Sequence, residues 1–284
     1  MPERARRRTA SRGVARGPRG PRGPRRERGA GPFGSGVVLL VALAVLTPFL
    51  YMVRGALSDP RSFAAALTGL PFGRFFLNST VVALAVVSGQ VLTSALAAYA
   101  FARLRFPGRD WAFRAYLAVW LVPAIVLVVP RYLLITTLGW VDSYQGLIST
   151  ELVSVWGIFL LRQCFQAIPR HLEDAARLEG ASEWTIFWRI VLPLSRPGLA
   201  ALGLLAFVDQ WKSFLWPLVA TRSTEMRVLE VGLANFHSLY AANEPYQLAA
   251  ALVVMAPLVV VCFVAQRHLV TGIALATRAG TSGP

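Results

Sequence analysis

Six stretches of the chain stay apolar long enough to cross a bilayer as helix, at residues 37–53, 77–102, 115–135, 147–166, 198–219 and 247–266. A crossing takes about 20 mostly apolar residues at helical rise. Within hydrocarbon only helices and closed barrels satisfy the backbone polar groups. The pattern therefore predicts an all-α fold, a polytopic membrane helical bundle of six transmembrane helices. The first stretch has only 17 residues and follows an arginine-rich segment, as in a signal peptide. Tyr51-Met52-Val53-Arg54 offers no small-residue cleavage site, so it reads as an uncleaved span.

Composition supports this division. The chain has 284 residues, of which 55% are hydrophobic and 15% charged, with a mean hydropathy of +0.53. Roughly 25% charge is usual for a water-facing domain. The net charge of +15 is unevenly placed, with eleven of the 29 basic residues being arginines that precede Gly29. Residues 1–29 are rich in Arg, Gly and Pro, with too few Gly-Pro-Arg triplets for a collagen helix and nothing to build a core. A disordered tail is expected over residues 1–34, and the transmembrane domain over 35–284. The tail reads either as an orientation signal that also touches anionic headgroups or as a solvated extension.

Loop charge predicts orientation. With both termini cytoplasmic, the cytoplasmic segments hold 22 basic residues and the outer ones six: Arg54, Arg61, Arg74, Arg131, Arg222 and Arg227. Without the tail the balance is still eleven to six. Cys164 and Cys262 fall near cytoplasmic span ends and suggest no disulfide framework.

The segment 168–193 breaks the apolar pattern on the cytoplasmic side. Pro169 suits a helix start, and Glu173 and Asp174 lie where the helix dipole favours negative charge. Ala175 and Ala176 propagate helix and leave one face nearly flat. Gly180 is expected to end this helix and turn the chain, and Ser182 to cap a second. Trp184, Phe187, Ile190 and Val191 form an apolar stripe on the second helix, which Leu192-Pro193 stops. Such a hairpin can dock into a cleft on another protein or simply anchor at the membrane face.

Glu173-Asp-Ala-Ala-Arg-Leu-Glu-Gly-Ala181, eleven residues ahead of Leu192-Pro193, resembles the EAA loop of ABC-importer permeases. The flanks Ile168-Pro-Arg-His-Leu and Ser182-Glu-Trp-Thr-Ile-Phe-Trp-Arg-Ile resemble the carbohydrate-uptake branch, in particular its maltose-type six-span members. Asn78-Ser-Thr, Ala98–Pro107, Gly157–Gln163, Phe214–Leu218 and Gln266–His268 with Gly272 extend the likeness over nearly all the chain after the tail. The resemblance implies a type I importer permease fold in the bacterial cytoplasmic membrane. It also implies two ATPase subunits, a second related permease, an extracytoplasmic solute-binding protein and a small-molecule solute, a sugar or oligosaccharide. Glu173, Asp174, Ala175, Ala176, Glu179, Gly180 and Ala181 would couple the chain to the ATPase, with Glu173, Ala175, Ala176 and Gly180 as the seat. Glu179 stands where the family has Asp and keeps the charge.

Ionisable groups inside spans mark pathway candidates. Asp209 and Lys212 are expected mid-span on one helical face, able to pair. They either face the cavity or form a self-satisfied pair that sets register. Trp211 and Trp216 suit a cavity wall or an interfacial belt, and Glu151 the pathway or the headgroups. Segment 220–246 reads as a polar external loop, which the resemblance would extend into the binding protein. The chain has no Gly-x-x-x-x-Gly-Lys-[Ser/Thr], so ATP is expected on the partner. His171, His237 and His268 are scattered, so neither a catalytic site nor a metal or cofactor is expected. The tail carries no aromatic before Phe33 to stack on bases, so nucleic acid is not an expected partner.

Overall fold

The computed structural model describes residues 32–58, 61, 68, 71–239 and 244–280, with side chains described at 36–58, 61, 68, 71–235 and 244–264. The expected tail lies outside the described residues except at its end, where helix α1 (Pro32–Leu57) has already begun. Two compact units are present, residues 1–48 and 49–284. In the first, the large apolar side chains from Val37 to Leu46 are exposed, as a lipid-facing helix requires. Near its end the Thr47 hydroxyl donates to the Leu43 carbonyl (2.8 Å) beside Pro48, which has no N–H to continue the ladder.

The second unit is built around α2 (Phe72–Arg103). Then follow α3 (Arg109–Ala118), α4 (Val128–Thr137), α5 (Tyr144–Ile148) and α6 (Val155–Gln166). The chain continues through α7 (His171–Leu178), α8 (Glu183–Leu194), α9 (Arg196–Trp211), α10 (Leu215–Ala220), α11 (Leu229–Leu239) and α12 (Glu244–Gly280). Every regular element among the described residues is helical. Three helices can cross a membrane alone, Gly36–Leu57, Phe72–Arg103 and Glu244–Val264. With each of three bent pairs counted as one crossing the total is six, the number the hydropathy pattern predicts.

Helix α2 packs along α6 and α9, and α9 along α12. Lipid removes the hydrophobic drive between helices, so close contact of small residues has to hold them. Ser94, Ala95, Ala98 and Ala102 of α2 are buried. On α6, a Cβ at Gly157 would stand 2.7 Å from Ser94 Oγ and 2.9 Å from Leu202 Cδ1. Only glycine lets the three helices approach there.

Three expected spans are not straight. The 115–135 stretch bends by 92° between Arg109–Leu121 and Ala124–Thr137. Pro123 cannot donate to a helical ladder and forces Val122 extended (φ −78°, ψ 119°). The 147–166 stretch bends by 46° between Tyr144–Glu151 and Val155–Gln166. Ser154 restarts the helix there by accepting from the Gly157 N–H (3.1 Å). Where 198–219 was expected as one span, α9 stops at Trp211 and α10 starts at Leu215. Nor does Leu192-Pro193 end α8 as expected. Residues Phe187–Val191 form a π turn, and the helix runs on to Leu194 before bending 75° into α9. In a regular α-helix the Pro193 ring would strike the carbonyl four residues back; the wider turn accommodates it.

Segment 220–246 is also more ordered than a polar loop. It contains α11, with Leu229 and Val231 buried. Asn78 fastens the chain ahead of this helix: its Nδ2 donates to the carbonyls of Glu225 (2.7 Å) and Arg227 (2.9 Å), and its Oδ1 accepts from Tyr144 (2.6 Å). Ser79 Oγ accepts the Leu229 N–H (2.8 Å). These apolar positions are few and diluted among polar ones, which conceals the helix in a hydropathy pattern.

Candidate functional site: a coupling knuckle and a polar cavity

Helices α7 and α8 form the two-helix knuckle expected from the sequence. Glu173 and Asp174 occupy the first turn of α7. At its end the Gly180 N–H bonds to the Arg177 carbonyl (3.0 Å) and the Ala181 N–H to that of Ala176 (3.0 Å). This pair of bonds is the Schellman closure, and it places Gly180 at φ +82°, where a side chain is strained. Ser182 then caps α8 through the Thr185 N–H (3.2 Å). Phe187 and Val191 of the expected stripe are buried and Ile190 half-buried, whereas Trp184 points outward and is 60% exposed.

What the sequence did not reveal is how the knuckle is held. Glu173 is not on its outer surface; it is 2% exposed and its Oε1 lies 2.9 Å from Arg103 Nε at the end of α2. A buried carboxylate is costly unless paired, so this contact compels the orientation of α7. The Arg103 Nη2 also donates to the carbonyls of Phe165 and Ile168 (2.7 Å to the latter), closing the end of α6. One guanidinium thus joins α2, α6 and α7. Arg177 adds contacts to Glu173 (3.5 Å), Asp174 (2.9 Å) and Glu183 (2.8 Å), and Tyr99 donates to Glu183 (2.6 Å). The hydrogen bond that Arg177 donates to Glu183 is foremost in raising its already high pKa. Placing Glu173 in the seat is therefore corrected: the residues of α7 and its turn left facing outward are His171, Leu172, Asp174, Ala175, Arg177, Leu178, Glu179 and Gly180, with Ala176 and Ala181 half-buried. Leu178 is 90% exposed. The signal available beforehand was Arg103 itself, a cation closing a long apolar helix.

The pathway candidates separate. Glu151, Asp209 and Lys212 line one cavity of about 650 Å³, with Arg131, Gln210, Ser213 and Trp216. Trp211 does not line it. It is buried, 3% exposed, and donates its Nε1–H to the Val254 carbonyl of α12 (3.0 Å). The expected Asp209–Lys212 pairing is also absent among the described residues. Lys212 caps α9, its N–H still bonded to the Val208 carbonyl (3.2 Å), and both side chains border the cavity without meeting. Glu151 instead pairs with Arg131, which also bonds Thr150 and stacks 4.0 Å over the Trp216 ring. Of the two readings of Trp216 the structure shows the cavity wall, while Arg131 was missed because it meets Trp216 only across the bend. The Trp216 Nε1–H is buried without a hydrogen-bond partner. Among the described residues no group of His, Cys, Asp and Glu is arranged to hold a metal.

Comparison with known proteins agrees with this architecture. Residues 90–274 match the family described as binding-protein-dependent transport system inner membrane component. The arabinooligosaccharides transport system permease protein of Halalkalibacterium halodurans is 34% identical over 199 residues, 70% of this chain and 71% of that protein. The sn-glycerol-3-phosphate transport system permease protein of Yersinia pestis is 32% identical over 271 residues, 87% of this chain and 96% of that protein. A chain from the crystal structure of a bacterial ABC transporter involved in the import of the acidic polysaccharide alginate shares the fold. It has a TM-score of 0.72 and 23% identity, covering 87% of this chain and 99% of that one. A bundle of six apolar crossings, interrupted by a charge-anchored knuckle of two short helices, is thus the work of a transport subunit rather than an enzyme. The chain belongs to the family of inner-membrane permease components of binding-protein-dependent ABC transport systems.

Proposed function

We propose that this chain forms half of the translocation pathway of an importer for a sugar-type polar solute. The other half is a second, related permease. Two ATPase subunits receive the α7–α8 knuckle of each half on the cytoplasmic side, where both termini lie, and a solute-binding protein delivers cargo from outside. The domain division is the one the sequence suggests, a tail followed by one transmembrane domain.

The observation that carries this reading is the knuckle: its apolar tip at Leu178 faces outward while Glu173 and Arg103 lock its inner side to α2. A force applied at the tip reaches α2 and α6 through one buried ion pair. Asp174, Ala175, Glu179 and Gly180 form the docking surface; Glu173 transmits and does not dock. Asp209, Lys212 and Glu151 supply hydroxyl-binding poles in the cavity, and the solute class is favoured by the polyol-handling relatives.

Gly180→Leu tests the docking. No atom lies within 4 Å of the position for a Cβ to strike, so only the positive φ is perturbed, at about 1–2 kcal/mol. The variant should insert and fold while losing co-purification with the ATPase. An ATPase that still binds, with hydrolysis still coupled to uptake, would end this reading.

A further inference from the structure

Beside the knuckle, two adjoining clefts share Arg105 and Arg170 as common walls. One, of about 750 Å³, also involves Phe106, Pro107, Arg109 and Trp111. The other, of about 450 Å³, is completed by Arg103, Glu173, Asp174, Arg177 and Glu183. The acids around the clefts are already committed. Glu173 is taken by Arg103, Asp174 and Glu183 by Arg177, and Asp110 by Arg109. Arg105 and Arg170 are exposed, and neither guanidinium enters an ion pair or side-chain hydrogen bond among the described residues. Two positive charges are therefore left uncompensated in a concave site. Its rim is apolar: Trp111 is 72% and Phe106 40% exposed, at the point where α3 leads the chain back towards its next span.

From this juxtaposition we infer a binding site for the headgroup of an anionic phospholipid, such as phosphatidylglycerol. The phosphate lies between the Arg105 and Arg170 guanidinium groups, whose planar forks match its oxygens. The glycerol backbone and first acyl carbons lie against Phe106 and Trp111, as aromatic residues do at a membrane surface. A small soluble anion has no use for these exposed rings, and a wholly apolar lipid tail has none for the arginines. The site is distinct from the solute cavity and from the Leu178 tip. A headgroup here would hold the first cytoplasmic turn, residues 104–108, next to the start of α7 and so steady the knuckle.

The test uses the assembled transporter in nanodiscs of phosphatidylcholine with graded phosphatidylglycerol in both leaflets, so that it is independent of orientation. Lipid retention is read by native mass spectrometry and thermal unfolding in parallel. Each arginine at a membrane surface contributes about 1 kcal/mol, so Arg105→Gln with Arg170→Gln should weaken retention by roughly 30-fold. Arg114→Gln with Arg189→Gln removes the same charge outside the clefts and should leave selective retention near the wild-type level. Equal loss in both double variants would mean diffuse attraction and overturn the site. Protection by inorganic phosphate in detergent equal to that by the lipid would overturn the lipid assignment. So would unchanged retention together with loss of the ATPase subunits, which would make the cleft a protein contact.

Discussion

Removing Arg103 should be among the most damaging single changes available around the knuckle. With Arg103→Met, the Glu173 carboxylate keeps its 2% exposure and loses its 2.9 Å partner, retaining only the 3.5 Å contact with Arg177. Breaking a buried pair from one side costs about 3–5 kcal/mol, because a charge is left uncompensated. The Phe165 and Ile168 carbonyls lose their donor as well. Glu173→Leu should cost less, since Arg103 keeps both carbonyl acceptors and can remain satisfied. The double variant removes both charges and should recover most of the loss, to within about 2 kcal/mol of wild type. The measurement is a double-mutant cycle by thermal unfolding of the full chain in nanodiscs, with co-purification of the ATPase followed alongside. Additivity of the two single effects within about 0.5 kcal/mol would show that the residues do not act as a pair. In that case the route from knuckle to α2 proposed above would be refuted.

Two further expectations concern other parts of the molecule. Lys212→Ala removes a charged donor from the cavity wall and should raise the solute concentration that half-saturates stimulated ATPase activity by about tenfold, for a charged hydrogen bond of about 1.5 kcal/mol; a wild-type response across candidate sugars would remove Lys212 from the pathway. Elsewhere, Asp142 sits at φ 62° and accepts the N–H groups of Arg222 (2.9 Å) and Ser223 (3.0 Å). Burial pushes its pKa up, but these donors outweigh burial and hold it below the usual carboxylate value. Its contribution is therefore complete above about pH 4, the unfolded value, and is lost as pH falls from there through the depressed folded value. Asp142→Asn, which tolerates the left-handed backbone, should lower stability by about 1 kcal/mol at neutral pH and flatten the acid limb of a thermal-stability profile. An unchanged acid limb would show that this carboxylate does not titrate with folding.

The particular residues show where reading from sequence succeeds. Gly180 and Ser182 were legible because a helix stop and a helix cap are local events, decided within five residues by backbone freedom and one hydroxyl. The six crossings were legible because the bilayer imposes a length on any apolar run. The helical sense of 171–178 was equally local, following from alanines and an acidic first turn.

Whatever depended on a partner distant in sequence was decided only by the tertiary structure. Glu173 turned inward because Arg103, 70 positions earlier, ends α2 at the same level and neither charge can stay buried alone. Trp211 and Trp216 are alike in sequence context, yet one is fixed to α12 and the other lines the cavity, because α9 stops between them. Hydropathy records how much of a segment is apolar, not where the helix ends within it. The packing of α2, α6, α9 and α12 therefore determined which of these charged and aromatic groups meet.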